Sequence, residues 1–514
     1  MSDCGSYRGI ALLSAAGKVL SHIINGRLNQ LAENYLPESQ CGFRPFRGTV
    51  DAIFVVKQLQ EKHLEQYRDL YLCFVDLEKA FDRVPRTALW AVLEKIGCPV
   101  KFTNLIRQFH DGMLARVQHE NNFTDQFPVT SGVKQGCVMA PTLFAIYFAA
   151  TMNDALAKCN NPITLNVRSD KSVFNISRFK ARSKVQKLPV LEILYADDVC
   201  LVADSAENLQ LYLDNLDESC RKFGLVISVS KTQILKQPAR GTSANETAIY
   251  LDRKQLEEVQ CFRYLGNLIR SDNRLESELS ARIASAAAAF GRLNRRVWDS
   301  HDLQLQTKLS VYKAIILPLL LYSSETWCLY RGDIRRLDVF HMRCLRSVLR
   351  VTWEDRVPNS EILRRANMTG MECLLMKGQL RWCGHLVRMD DSRLPKSVFY
   401  SELSNGKRRV GGQHLRYKDV LKRHLVSCDI SCETWEELAQ NRREWRNAVM
   451  KGTANFEHAR LQDLDTKRQH RKARPKPTYD YTYNSSGQLF CYTCRRVFKT
   501  KFGFASHCRA HARN

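Results

Sequence analysis

Residues 191–204, LEILYADDVCLVAD, set two adjacent aspartates, Asp197 and Asp198, between two apolar, β-branched runs. Leu191, Ile193 and Tyr195 alternate into the pair and Val199, Leu201 and Val202 lead out of it, a pattern for two short strands joined by a tight turn. Two carboxylates about 4 Å apart repel by roughly 4 kcal/mol at an effective dielectric near 20. A half-buried hairpin tip relieves that repulsion with a proton or a cation, and hard carboxylate oxygens suit magnesium. A solvated Asp-Asp turn accounts for these residues equally well, so the rest of the chain has to decide.

A third carboxylate bears on the choice. LYLCFVDL, residues 70–77, is a buried-strand run with Asp76 at its end. An acid at a strand's carboxyl end, beside a hairpin carrying two more, is a constellation for two metal ions. Such ions, about 3.5–4 Å apart, activate an attacking hydroxyl and stabilise a leaving oxygen in phosphoryl transfer.

Charge points to the same class of partner. Against 53 acidic residues stand 78 basic ones in a chain of 514, and residues 331–514 carry 38 of the basic and 19 of the acidic residues. The excess therefore sits in the C-terminal third, where it fits a polyanion. The longest apolar runs, LFAIYFAA and AIILPLLLY, are too short to span a bilayer, and no strongly amphipathic Lys-rich anchor favours the rival anionic membrane surface, so no membrane partner is expected. The first 20 residues lack a basic n-region and a cleavage site, and the 18 cysteines are scattered singly, which predicts reduced thiols in the nucleus and cytoplasm.

Along the chain, GKVLSHIINGRLNQLAENYL has helical spacing, with Val19, Leu20, Ile23, Ile24, Leu28 and Leu31 on one face. Helical patterns follow at 86–96, 100–110 and over most of 275–350. Residues 351–460 read as helical and basic, with Trp353, Trp382, Trp435 and Trp445 as core anchors. Residues 466–488 form a basic linker containing Pro and Ser. Beyond it, Cys491, Cys494, His507 and His511 have the spacing Cys-x2-Cys-x12-His-x3-His, four ligands for one structural zinc. Phe498 and Phe504 supply a core too small to fold without the metal, and Cys508 is a spare thiol. Arg495, Arg496, Lys499, Lys501, Arg509 and Arg513 suit phosphate contact better than base reading.

These segments together resemble a reverse transcriptase. FVDLEKAFD resembles the first catalytic palm motif, SGVKQGCVMAPTLF (131–144) the second, YADD (195–198) the third and GLVISVSKTQIL (224–235) the fourth. FRYLGNLI (262–269) is similar to the primer grip, and YRGIALLSAAGKVL and ESQCGFRPFRGTVDAI to the fingers motifs. Ala196 in the tetrad, GFRPFRGT and LLYSSETW (320–327) are similar to non-LTR, LINE-type retrotransposon polymerases. GQLRWCGHLVRMDDSRLP (378–395), RRVGGQHLRYKD (408–419) and the final finger look like the C-terminal half of such elements.

The resemblance implies an α+β right-hand polymerase, with fingers and an antiparallel-sheet palm over 1–240. It further implies a primer grip and helical thumb over 241–350, a basic helical region over 351–465, and a ββα zinc finger over 489–514. It implies that Asp76 and Asp197 hold two magnesium ions, with Asp198 in support and the Leu77 carbonyl completing one shell. By the same resemblance Phe81 is the aromatic gate against a ribose 2′-hydroxyl, and Gln135 and Gly136 lie against the incoming nucleotide. Gly136 allows a close backbone approach. Arg44, or failing it Arg47, contacts the triphosphate, and Lys231 protonates the leaving pyrophosphate. The partners implied are an RNA template, a DNA primer or target, and dNTPs. The chain starts inside the fingers motifs, as an N-terminally truncated copy would, and shows no nuclease constellation; His385, Asp390 and Asp391 read as surface or capping residues. A catalytically silent nucleic-acid binder, working through the basic region and the finger, remains the alternative.

Overall fold

LYLCFV is apolar at every position because the strand it forms, Leu70–Val75, is covered on both faces. In the computed structural model, which describes residues 9–119, 122–170, 172–239, 248–405, 415–473 and 480–511, this strand is the centre of a five-stranded sheet. Its antiparallel neighbours are Gln233–Gln237 on one edge and Asp198–Ala203 on the other, flanked by Glu257–Glu258 and Glu192–Tyr195. Tyr71, Cys73 and Val75 face one way, into a core with Phe144, Tyr147 and Phe148 of helix Ala140–Leu156 and Leu209 and Leu213 of helix Ala206–Lys222. Leu70, Leu72 and Phe74 face the other way, onto Ile53, Val56 and Leu59 of helix Thr49–Gln66. The period-two alternation of a strand thus feeds two cores. The hairpin Cys261–Tyr264 and Asn267–Arg270 rests on the second face, with the Phe262 ring stacked 4.1 Å from that of Phe74.

Residues up to Glu457 form one compact unit, and the expected divisions at 240 and 350 share cores across them. The basic helices of 351–457 close over helix Thr49–Gln66. Phe54 packs edge-on against Trp382 and Tyr417, at 5.6 and 5.2 Å between ring centres. Strand Ser401–Leu403 pairs antiparallel with Ile163–Val167. Trp382, Trp435 and Trp445 are buried in this core as the spacing predicts. Trp353 is not: it is 83% exposed. It sits in a turn outside the helical repeat, where Asp355 caps the Thr352 N–H at 2.6 Å.

Two further expectations are adjusted. Helix Ala15–Tyr35 forms where predicted, but its buried stripe is Ser21, Ile24, Leu28 and Ala32, while Val19, Leu20 and Ile23 face outward. Helix Arg442–Ala473 runs eight residues into the predicted linker, because TKRQHRKA holds no breaker and Lys467 pairs with Asp463 one turn back at 2.6 Å. Residues 474–479 of that linker, residues 408–414 of the C-terminal motif, and Arg513 lie outside the described residues. No described helix is long and apolar enough to cross a membrane, and no described cysteine is in a disulfide. Asp390 accepts the Ser392 N–H at 2.9 Å, and Asp391 pairs with Lys396 at 2.8 Å.

Residues 458–514 form a second unit. Within it, hairpin Leu489–Phe490 and Val497–Phe498 packs on helix Lys501–His511 through Leu489, Phe498 and Phe504, with Cys508 against the same core.

The motif glycine Gly384 of helix Met371–Arg388 faces the Trp445 ring, whose Nε1–H donates to the Leu380 carbonyl of that helix at 3.0 Å. A Cβ there would collide with the pinned ring. Gly384→Ala is expected to cost about 1–3 kcal/mol in urea denaturation. Gly378→Ala on the same helix, with open space at its Cβ, should be neutral or stabilising by up to about 1 kcal/mol.

Candidate active site

Strands Glu192–Tyr195 and Asp198–Ala203 pair from Tyr195 opposite Asp198, which leaves Ala196 and Asp197 as the two-residue turn. Ala196 takes the left-handed conformation that such a turn demands, with φ of 58°. Val199 lies opposite Val75 in the central strand. One step further along that antiparallel register, Asp76 leaves its strand beside Asp198. Sheet register therefore delivers the three aspartates to one sheet end. Burial holds the Tyr195 phenol above its ordinary value, and the Asp198 charge adds to the effect.

The backbone around Asp76 is stitched to the 226–232 segment. The Asp76 carbonyl accepts from Ser228 N at 2.8 Å, Glu78 N donates to the Val226 carbonyl at 2.9 Å, and Leu77 pairs with Ile227. This brings Lys231 Nζ to 3.3 Å from Asp76 Oδ2. That oxygen is buried and takes no hydrogen bond, so the ammonium meets its charge without satisfying it. The lysine side chain is 64% exposed, and an ion pair of that kind is worth less than about 1 kcal/mol. A desolvated carboxylate oxygen with one weakly held partner is a site that a divalent cation fits, and Asp197 and Asp198 supply the further hard oxygens.

Phe81 stacks on Phe144 at 4.6 Å, which fixes its ring beside the palm helix. Lys79 and Asp82 serve the local turn, Asp82 N donating to the Lys79 carbonyl at 2.9 Å. The Gln135 carbonyl accepts from Ala11 N at 2.7 Å, and Gly136, with φ of 101°, lies against the Ala11 carbonyl. Its expected close approach is thus made by the chain's own residue 11. Gly132, absent from the expected site, has a like role: Cβ there would strike the backbone of Phe81 and Asp82.

Arg44 and Arg47 differ from expectation. Arg44 donates to Glu33 at 2.8 and 3.1 Å and to the carbonyls of Pro37 and Gln40 at 2.6 and 3.2 Å. Its hydrogen bonds, with the charges of Arg44 and Arg47 adding, hold the Glu33 carboxyl below its ordinary value. Arg47 pairs with Glu33 and Glu38 at 3.0 and 2.6 Å. Both guanidinium groups are buried in the loop they brace, on acids of this chain. The sequence announces two arginines but not the acids that claim them. The side chains this loop does present are Phe43 and Phe46, both exposed and both at positive φ.

Cys491, Cys494, His507 and His511 bring their ligand atoms within 4.8 Å of one another, the one such group of three or more among the described residues. Hydrogen bonding, chiefly from the Cys494 N–H, lowers the Cys491 thiol from its ordinary value.

The family model for reverse transcriptase (RNA-dependent DNA polymerase) matches residues 2–269. A transposon-derived protein of Caenorhabditis elegans is 27% identical over 272 residues, covering 51% of this chain and 95% of that one. The RNA-directed DNA polymerase from mobile element jockey of Drosophila funebris is 24% identical over 372 residues, covering 70% of this chain and 37% of its own length. Among solved structures, telomerase from Candida tropicalis in complex with a telomeric RNA fragment is 14% identical with a TM-score of 0.35, covering 75% of this chain and 56% of that one.

The carboxylate pair generates a stability test. Asp197→Asn removes one of the converging charges, so it is expected to raise stability by about 0.5–2 kcal/mol in divalent-free buffer. Added magnesium should stabilise the parent and not the variant, reversing the order in thermal denaturation.

Proposed function

Because the chain belongs to the reverse transcriptase (RNA-dependent DNA polymerase) family, we propose that it is the RNA-directed DNA polymerase of a non-LTR retrotransposon. It transfers dNMP from a dNTP to a primer 3′-hydroxyl under the direction of an RNA template. The observation that carries this reading is the buried Oδ2 of Asp76, on a side chain otherwise 36% exposed, beside the Asp197–Asp198 turn. The chain spans 37% of the jockey polymerase, and the reading concerns the polymerase activity alone.

Asp76 and Asp197 would hold two magnesium ions, with Asp198 and the Leu77 carbonyl in support. Bound there, the ions supply the charge that activates the primer hydroxyl and stabilises the leaving oxygen. Lys231 carries a proton to the departing pyrophosphate; its 3.3 Å approach to Asp76 supports that role. The Phe81 ring, braced by Phe144, occupies the space of a ribose 2′-hydroxyl and selects dNTPs. Gln135 and Gly136, tied to Ala11, form a wall for the nucleotide and template. Catalysis is then positioning plus charge stabilisation. The basic excess of residues 331–514 supports binding of the template and the DNA primer or target. Cys491, Cys494, His507 and His511 hold one structural zinc, the closed thiol and imidazole set being the chemistry that zinc prefers.

Primer extension on an RNA template with magnesium and dNTPs tests the polymerase. The parent chain is expected to extend, and Asp197→Ala to lose at least about 100-fold in rate. A folded chain that binds RNA in a salt-dependent manner and extends nothing would instead establish the silent nucleic-acid binder. The finger is tested apart from activity: the parent should release a single zinc to a chromophoric chelator after thiol modification, and Cys494→Ser should release none.

A further inference from the structure

Gln40 lies in the fingers motif ESQCGFRPFRGT, next to the arginines that the motif brings to notice. It is 1% exposed, and its carboxamide reaches across 156 positions of sequence. Oε1 accepts two N–H groups, Ala196 at 2.8 Å and Gly42 at 2.9 Å, and Nε2 donates to the Ala196 carbonyl at 3.2 Å. Both backbone polar groups of Ala196 are therefore satisfied by one side chain. Ala196 is the residue before Asp197, buried, and held in the left-handed conformation that alanine resists. Such a conformation persists only where its surroundings over-determine it.

The surroundings do so from several sides. Cys41 N donates to the Leu194 carbonyl at 2.8 Å, and Leu194 N to the Ser39 carbonyl at 3.0 Å, so residues 39–41 run as an added parallel partner on the outer strand of the hairpin. Ser39 Oγ donates to Glu192 on that strand at 2.7 Å. At Gly42 a Cβ would collide with Ala196 N and crowd the Tyr195 carbonyl carbon at 2.9 Å, so this glycine lets the loop reach the turn. Arg44 in turn grips the Gln40 carbonyl at 3.2 Å and that of Pro37 at 2.6 Å. The buried arginine thus braces the residue that braces the turn.

We propose that Gln40 is a positioning residue for the metal-binding turn: its carboxamide clamps Ala196 and so fixes the direction in which Asp197 and Asp198 present their carboxylates. This rests on the polymerase reading above and deepens it. A buried glutamine with a merely structural part would contribute stability and nothing to metal affinity, which is the distinction to be tested.

The test compares four variants of the full chain. Gln40→Met keeps the length and removes donor and acceptor; Gln40→Glu keeps the acceptor and removes the donor; Gly42→Ala pushes on the same turn from the loop. Gln379→Met is the control, since Gln379 is also buried and donates to the Trp327 carbonyl at 2.6 Å, in a different core. The readouts are manganese binding by electron paramagnetic resonance, the magnesium requirement and kcat of primer extension, and hydrogen exchange at the Ala196 amide. Gln40→Met is expected to weaken metal binding or kcat by about 10- to 100-fold, the range for residues that orient metal ligands, with dNTP KM little changed and Ala196 exchange accelerated. Gln40→Glu should fall between it and the parent. Gly42→Ala should weaken metal binding, and Gln379→Met should lower only stability. Parent-like manganese affinity in folded Gln40→Met overturns the proposal; should that variant not fold, parent-like affinity in Gln40→Glu and Gly42→Ala does so. A parent that binds manganese but extends no primer removes the polymerase reading, while the manganese comparison still decides the role of Gln40.

Discussion

The strand Leu70–Val75 is hydrogen-bonded along both edges and buried on both faces, and the geometry of the first unit depends on it. Such a strand admits no charge along its length, so the first carboxylate appears where the strand stops, at Asp76. Its partner Asp198–Ala203 is equally apolar from Val199 onward and carries its acids just before that point. A slip of one residue in this pairing would exchange the two core faces of Asp198–Ala203. It would send Cys200 and Val202 toward the palm helices and Leu201 toward helix Thr49–Gln66. Two packed cores therefore enforce the register, and the register sets the spacing of the aspartates.

The same scaffold governs the basic C-terminal region. Phe54 of helix Thr49–Gln66 is the hinge of that packing, meeting Trp382, Phe399 and Tyr417 at once. Arg393 crosses from the far region to Glu38 and Asp51 at 2.7 and 3.1 Å, while Arg416 and Lys418 pair with Glu65 and Glu402. Part of the basic excess is thus consumed inside the unit, and its members are not all available to a polyanion. Glu38 takes Arg47 as well as Arg393, so the loop that carries Gln40 is held by the sheet and by the C-terminal region together.

What the sequence discloses follows from the range of the interactions. Strand Leu70–Val75, the hairpin about Asp197 and the Cys–His set are legible because each is written in local periodicity or spacing. Lys231 is picked out through its motif, and the backbone stitching of residues 226–232 to Asp76 brings it to the same sheet end, 3.3 Å from that carboxylate. The partners of Arg44 are hidden for the opposite reason. Whether a guanidinium meets solvent or the acid eleven residues earlier is decided by how the loop folds back on helix Ala15–Tyr35, and neither residue carries that information. Gln40 escapes notice likewise, since its partner lies 156 residues on. Trp353 shows the limit of composition: tryptophan is a core residue on average, but this one falls in a turn between helices.

The two candidate ligand sets differ in a way that their chemistry explains. Thiols and imidazoles are uncharged without a metal, so a hairpin and a helix can bring four of them within 4.8 Å at little electrostatic cost. Carboxylates are charged at neutral pH, and three converging on one sheet end repel. The aspartates accordingly do not form a closed group of that kind. The fold instead positions the backbone that carries them, through sheet register at Asp76 and Asp198 and through the Ala196 turn at Asp197. It leaves the oxygens to be drawn together by charge. A closed, neutral set suits an ion that stays, and an open, charged set suits ions that arrive with an anionic substrate and leave with its product.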